Sequence, residues 1–191
     1  MKAATASMAA AILAGGRARR LGGGHKGLVT IGGIAIVARQ LACLQPLVAD
    51  CFIVANDADA YAGFGVRVVP DLHPDRGPLA GIEAAFAASD AAQLLVFACD
   101  LPFIAPAPFV DAAPADVVVA RAGAVVQPLH ARYSRAVLPR VTAQLAANRL
   151  RLFDLVDALA PHYLDVAEQT LFNVNTPDDR ARAEQLATTC P

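Results

Sequence analysis

With 16 Lys+Arg against 17 Asp+Glu over 191 residues, the chain has no basic footprint of the kind nucleic-acid binding requires. Its length suits a single domain over 1–191, able to bury roughly 70% of the surface the unfolded chain exposes. Its 56% apolar content is rich in alanine, but no uninterrupted apolar run reaches the about 18 residues a membrane-spanning helix needs.

The amino terminus superficially resembles an export signal, with Lys2 before an Ala-rich stretch and Arg19-Arg20 further on. The order is wrong for both kinds of signal. A twin-arginine tag places its apolar region after the arginines, and cleavage after Ala14 would remove the first apolar run. Four cysteines, Cys43, Cys51, Cys99 and Cys190, form no C-x-x-C pair. Three of them lie in apolar contexts expected of reduced, buried thiols, and a cytoplasmic protein is expected.

Residues 9–13 read as a buried strand, and the stretch that follows, Leu13 to Gly27, holds six glycines with Arg17, Arg19, Arg20 and Lys26. Glycine allows positive φ and turns N–H groups toward an anion, so this loop reads as a triphosphate cradle. Lys26 stands out because the only other lysine is Lys2. A Walker loop is excluded, since Gly27 stands where the magnesium-holding hydroxyl would follow Lys26. Gly22-x-Gly24-x-x-Gly27 fits a dinucleotide pattern, but it begins nine positions after Leu13 instead of directly after the strand. No acidic residue closes the second strand either, where Asn56 stands.

Beyond the loop, residues 52–55, 66–69, 94–98 and 117–120 read as strands, with helical spacing over 34–47, 78–88 and 135–147. Residues 125–133 and 162–166 are expected to add strands at the sheet edge, one of them antiparallel. A last helix starts at Pro177, capped by Thr176 with Asp178 and Asp179 in its first turn. This alternation predicts an α/β fold with a mostly parallel sheet between two helical layers. Ligands in such folds gather beyond the carboxyl ends of the strands, so the glycine loop, Asn56, Asp71 and Cys99-Asp100-Leu101-Pro102 should share one cleft.

Asp100, fixed by the following Leu101-Pro102, is suited either to hold Mg²⁺ with phosphate and water or to cap the next turn. The stretch from Asp71 to Ile82 ends in Gly77-Pro78 opening a helix, whose free N–H groups could face an anionic ligand, although Gly-Pro equally marks a plain turn. Here His73 and Arg76 read as solvated. Asn173 and Asn175, on alternate positions of an extended segment, could complete a metal shell or bind substrate, against a reading in which only Thr176 matters as a cap. His130 is read as structural, and Arg149 and Arg151 as either anion-binding or simply solvated.

The ordered set Leu13-Ala14-Gly15-Gly16 with Arg20, Gly22 and Lys26, then Asp71, Gly77-Pro78-Leu79-Ala80-Gly81, Cys99-Asp100-x-Pro102 and Asn173-Val174-Asn175-Thr176-Pro177 resembles the MobA-type molybdenum cofactor guanylyltransferases. The resemblance spans residue 9 to about 187 and implies a nucleotide-diphospho-sugar-transferase-like fold of Rossmann-like topology. It also implies transfer of GMP from GTP to the phosphate of molybdenum-bound molybdopterin, with release of pyrophosphate. On that resemblance Leu13, Ala14, Gly15, Gly16 and Gly22 border the nucleotide, Lys26 its phosphates, Asn56 and Asp71 the nucleoside end, and Asp100 the Mg²⁺. Lys26 and Arg20 would stabilise the pyrophosphate leaving group. Gly77, Pro78, Leu79, Gly81, Asn173 and Asn175 would serve substrate or pterin.

One departure is His25, where the family usually carries aspartate before the lysine, which bears on how the loop is anchored. Partner proteins that donate molybdopterin or accept the cofactor are implied by the lability of the pterin. Related enzymes transfer CMP or use sugar phosphates, and the cytidylyl enzymes usually carry Leu-Ala-Ala-Gly where this chain has Gly15. A nucleotide-binding scaffold without turnover is the non-enzymatic alternative.

Overall fold

A computed structural model describes residues 8–15 and 23–189. Strand β1, Met8–Leu13, lies at the heart of a seven-stranded sheet ordered β5-β4-β1-β6-β8-β7-β9. The other strands are β4 (Asp50–Val54), β5 (Val68–Val69), β6 (Gln93–Ala98), β7 (Val117–Ala122), β8 (Val125–Ser134) and β9 (His162–Asp165). A separate hairpin pairs β2 (Thr30–Ile31) with β3 (Ile34–Ala35) across Gly32 and Gly33. Both glycines have positive φ, 58° and 76°, which a two-residue hairpin turn of this kind demands.

The unbroken apolar run of β1 is explained by burial on both faces. Ala9 and Ala11 join one core, while Ala10 and Ile12 join the other. On the first face lie α2 (Pro78–Ala87), α4 (Leu138–Ala146) and α5 (Leu152–Ala158), anchored by Leu79, Phe86, Val141 and Leu155. The opposite face carries α1 (Ile36–Leu44), a 3₁₀ turn at Asp59–Phe64 and the short α3 (Ala107–Asp111), through Val37, Leu41, Tyr61 and Phe109. The predicted three-layer arrangement follows. A third cluster, Ile31, Ile36, Val174 and Ala183, seats the C-terminal helix α6 (Pro177–Thr189) on the hairpin. Glu184 there accepts the Gly32 N–H at 2.6 Å.

Strand β8 departs from its expected place. It is antiparallel to both neighbours and lies inside the sheet between β6 and β7, while β9 forms the edge and runs parallel to β7. The predicted helix over 34–47 opens as β3 and becomes helical only from Ile36. Cys43 is exposed, Cys51 half-buried and Cys99 buried, all three as free thiols, so the expected burial fails at Cys43. Cys190 lies outside the described residues. Among the described residues no helix is long and apolar enough to cross a membrane.

Candidate functional site

Parallel pairing aligns the carboxyl ends of three strands, with Leu13 opposite both Val54 and Ala98. The ladder runs one residue further, as Ala14 N–H donates to the Val54 carbonyl at 2.8 Å and Cys99 N–H to the Leu13 carbonyl at 3.1 Å. Gly15, Asn56 and Asp100 therefore leave the sheet at the same level. Together with Leu13, Lys26, Asp71, Gly77, Pro78 and Gly81 they line one cavity of about 390 Å³. That size is within the range of small-molecule sites. Asp75, whose φ of 65° is one Asp tolerates, and Leu129 of β8 complete part of the wall, and sequence reasoning singled out neither.

The polar centre of the site is Lys26, at the start of the 3₁₀ turn Lys26–Leu28. Its ammonium donates to Asp100 Oδ2 at 3.1 Å and also to Asn175 Oδ1. Asp100 is held by its own turn. The buried amide of Gln40 donates to the Ala98 carbonyl at 2.7 Å and the Leu101 carbonyl at 2.9 Å, bracketing the aspartate. The Asp100 carbonyl in turn accepts the Val174 N–H at 2.9 Å, which docks the segment bearing both asparagines. Gln40 stands among Ile36, Val37, Leu41 and Leu44 on the buried stripe of α1. A polar residue on such a stripe needs a buried partner, a signal the sequence reading passed over.

Asn175 is itself fixed by the start of α6. Thr176 Oγ1 accepts the Asp179 N–H at 3.1 Å, while Asp179 Oδ2 accepts the N–H groups of Thr176 at 2.8 Å and Asn175 at 3.0 Å. This is a reciprocal capping box with aspartate in the third helical position. Those hydrogen bonds hold the Asp179 carboxyl below its ordinary value, the Asn175 N–H foremost. Asn173 points its amide oxygen elsewhere, accepting from Gln127 Nε2 at 3.4 Å, and neither asparagine lines the cavity itself.

On the opposite wall Asn56 Oδ1 accepts the Asp71 N–H at 3.0 Å, and Asp71 Oδ1 accepts the His73 N–H at 2.9 Å. Burial raises the Asp71 carboxyl above the usual carboxylate range. Gly77, with φ 74°, turns the chain into α2. A Cβ on Gly81 would stand 3.1 Å from Leu13 Cδ1, so glycine there lets the helix close on that side chain. Two residues named with the site are placed away from the cavity. Leu79 is fully buried in the core on the first turn of α2, and Ala14 is buried in the opposite core, offering the site its backbone at most.

Further out, His73 pairs with Glu83 at 3.2 Å and Arg76 donates to Asn148 at 2.8 Å, in keeping with loop roles. His130 is fully buried between the rings of Phe97 and Phe109, and burial lowers it to about 4. It is structural. Arg151 pairs with Asp154 at 3.7 Å. Gly16, Arg20 and Gly22 lie outside the described residues, as do Arg17 and Arg19.

Among the described residues the buried Asp100 Oδ1 has no hydrogen-bond partner, on a residue that lines the cavity. A hard divalent cation whose remaining ligands are phosphate and water fits one such carboxylate. Among the described residues no cluster of three His, Cys, Asp or Glu side chains offers an all-protein cage.

Comparison with known proteins agrees with this fold. Residues 10–162 match the model of the MobA-like NTP transferase domain. A probable molybdenum cofactor guanylyltransferase of Pelotomaculum thermopropionicum is 36% identical over 190 residues, covering 92% of this chain and 91% of the relative. A molybdenum cofactor guanylyltransferase of Cereibacter sphaeroides is also 36% identical, covering 92% and 94%. In fold, the crystal structure of molybdopterin-guanine dinucleotide biosynthesis protein A from Archaeoglobus fulgidus superposes with a TM-score of 0.79 at 24% identity, covering 95% of this chain and all of that one. The cleft at the carboxyl ends of the strands is the candidate site, and the chain belongs to the MobA-like NTP transferase family.

Proposed function

We propose that the chain transfers GMP from GTP to the phosphate of molybdopterin, in its molybdenum-bound form, giving the guanine dinucleotide cofactor and pyrophosphate. The observation that carries this reading is Lys26, set between Asp100 and Asn175 on the edge of a cavity bordered by Leu13 and Gly15. The names borne by the relatives support the guanylyl reaction. Gly15 supports guanine over cytosine, since among the described residues no atom lies within 4 Å of the place a Cβ would take, and the open side leaves room for the larger base.

The attacking group is already an anionic phosphate oxygen, so no side chain need remove a proton, and catalysis rests on positioning and charge compensation. In-line attack occurs at the α-phosphorus of GTP. An ammonium has three donors, and the protein engages two of those of Lys26 among the described residues, leaving one for a phosphate oxygen. Lys26, with Arg20, offsets charge accumulating on pyrophosphate. Asn56 and Asp71 face the nucleoside end, and Gly77, Pro78 and Gly81 shape the wall opposite. We assign Mg²⁺ to Asp100, through the partnerless Oδ1. When bound, the ion supplies neutralisation of phosphate charge.

The test is calorimetric titration with GTP, CTP, ATP and UTP, each with and without Mg²⁺, followed by pyrophosphate release on addition of molybdopterin. Selective magnesium-dependent GTP binding with pyrophosphate release is the expected result. Preference for CTP would move the chain to cytidylyl transfer, and GTP binding without pyrophosphate release would make it a nucleotide-binding module.

A further inference from the structure

We infer that His25 is a positioning residue for Lys26, acting through a brace to Asp57 that joins the lysine-bearing loop to the strand end bearing Asn56. His25 Nε2 lies 2.9 Å from Asp57 Oδ2, and since a carboxylate only accepts, the imidazole donates. Asp57 is immobilised in turn, because its Oδ1 accepts the Ala60 N–H at 3.2 Å and so starts the 3₁₀ turn Asp59–Phe64. The His25 ring also meets the fully buried Tyr61 ring edge-on, with centroids 5.6 Å apart.

On the other side of Lys26, Gly27 is buried against the same tyrosine. A Cβ there would stand 3.2 Å from Tyr61 Oη and 3.3 Å from Cys99 Cβ. The turn is closed by Leu28 N–H donating to the His25 carbonyl at 3.1 Å. Both neighbours of Lys26 are therefore seated on residues 57–61, and its side chain is left to extend toward Asp100 and Asn175.

Pinning the backbone on both sides of Lys26 fixes where its side chain starts, and so where its ammonium can reach. The His25–Asp57 contact is half open to water, with side-chain exposures of 27% and 52%, so its contribution to fold stability is small. Its effect is geometric. The consequence for turnover rests on the guanylyl-transfer reading, whereas the placement of the ammonium does not.

Two lysines in the whole chain make the test direct. Protein labelled with ¹³Cε-lysine gives one resonance each for Lys2 and Lys26, and Lys26→Arg assigns them. His25→Phe keeps a ring against Tyr61 but removes the donor, while His25→Gln restores an N–H donor without the ring. We expect the Lys26 resonance to move toward that of Lys2 in His25→Phe and to stay near its wild-type position in His25→Gln. Asp57→Ala should match His25→Phe, and the double variant should add nothing further.

Thermal unfolding, expected to stay within a few degrees of wild type, shows that the variants fold. In the transfer assay His25→Phe should lower kcat about tenfold with little change in the KM for GTP. A folded His25→Phe protein whose Lys26 resonance is unmoved overturns the brace. A moved resonance in a protein without transferase activity leaves the brace standing and removes the guanylyl reading instead.

Discussion

Lys26 Nζ and Asp100 Oδ2 lie 3.1 Å apart although 74 positions separate them in the chain, so the ammonium on the glycine loop and the carboxylate after β6 act as one unit. Both are partly shielded, with side-chain exposures of 23% and 15%. Their electrostatic effect on a phosphate is consequently stronger than it would be in open water.

Replacing Lys26 with alanine removes the cation placed there among the described residues while leaving the turn, whose bonds are made by backbone. We expect turnover to fall by about 10²- to 10³-fold, the cost of losing one oriented charge-stabilising donor. The melting temperature should change by only a few degrees. Pyrophosphate release and a thermal melt on the same preparation check both halves, and unchanged turnover would remove Lys26 from the reaction.

The glycines of the wall should behave oppositely to one another. At Gly15 a methyl meets nothing within 4 Å among the described residues, so Gly15→Ala should fold normally and project into space the nucleotide would use. GTP affinity should drop by about 10-fold or more, with CTP less affected, since a single methylene in a fitted pocket is worth about 1–3 kcal/mol. Gly81→Ala instead forces Leu13 aside, because Cδ1 stands 3.1 Å from the new methyl. It should weaken every nucleotide alike. Calorimetry across the four nucleotides distinguishes the two patterns.

Gln40 holds the Asp100 turn from below at 1% exposure. Gln40→Leu removes this donor from both carbonyls, but Ala98 still accepts the Leu101 N–H at 3.3 Å, so at about 1–3 kcal/mol for the one orphan the loss should reach about 1–3 kcal/mol. Urea unfolding measures it. Activity should fall further than stability alone explains, because the turn that aims Asp100 loosens.

His130 sets an acid limit on the fold. Burial lowers it to about 4 in the folded state, against 6.5 for the free side chain, with the nearby Ala105 and Thr170 backbone opposing the shift only in part. Above pH 6.5 both states are neutral and the residue contributes no slope. Between pH 6.5 and 4 the unfolded chain takes a proton that the native one refuses, so stability falls by roughly 3 kcal/mol as pH drops through that window. His130→Leu should flatten this part of the stability–pH curve, seen by urea unfolding at pH 7 and pH 4.5. An identical curve for the variant would place the acid sensitivity elsewhere.

The apolar runs of β1, β4 and β6 were legible because strands buried on both faces cannot carry polar side chains. For the same reason Asn56, Asp71 and Asp100, just beyond β4, β5 and β6, could be assigned to one cleft. The insertion of β8 between β6 and β7 was not legible, since which strand it pairs with is a matter of long-range hydrogen bonding and not of its own composition. Leu79 illustrates a further limit. The Gly77–Gly81 motif marks the cavity wall, yet helical geometry turns Leu79 into the core while Gly77, Pro78 and Gly81 line the cavity.

By itself the sequence determined the α/β alternation and the chemical types beyond the strands, because burial periodicity and a Gly-rich, lysine-bearing loop leave few other readings, while its ordered motifs carried the resemblance to the family that the comparisons show. Only the tertiary structure decided the partners. Asp57 beneath His25, Gln40 beneath Asp100, Gln127 beside Asn173 and Asn175 on Lys26 are pairs between segments remote in the chain. No local pattern encodes such pairs, because they arise when sheet register and helix packing bring the segments to one edge.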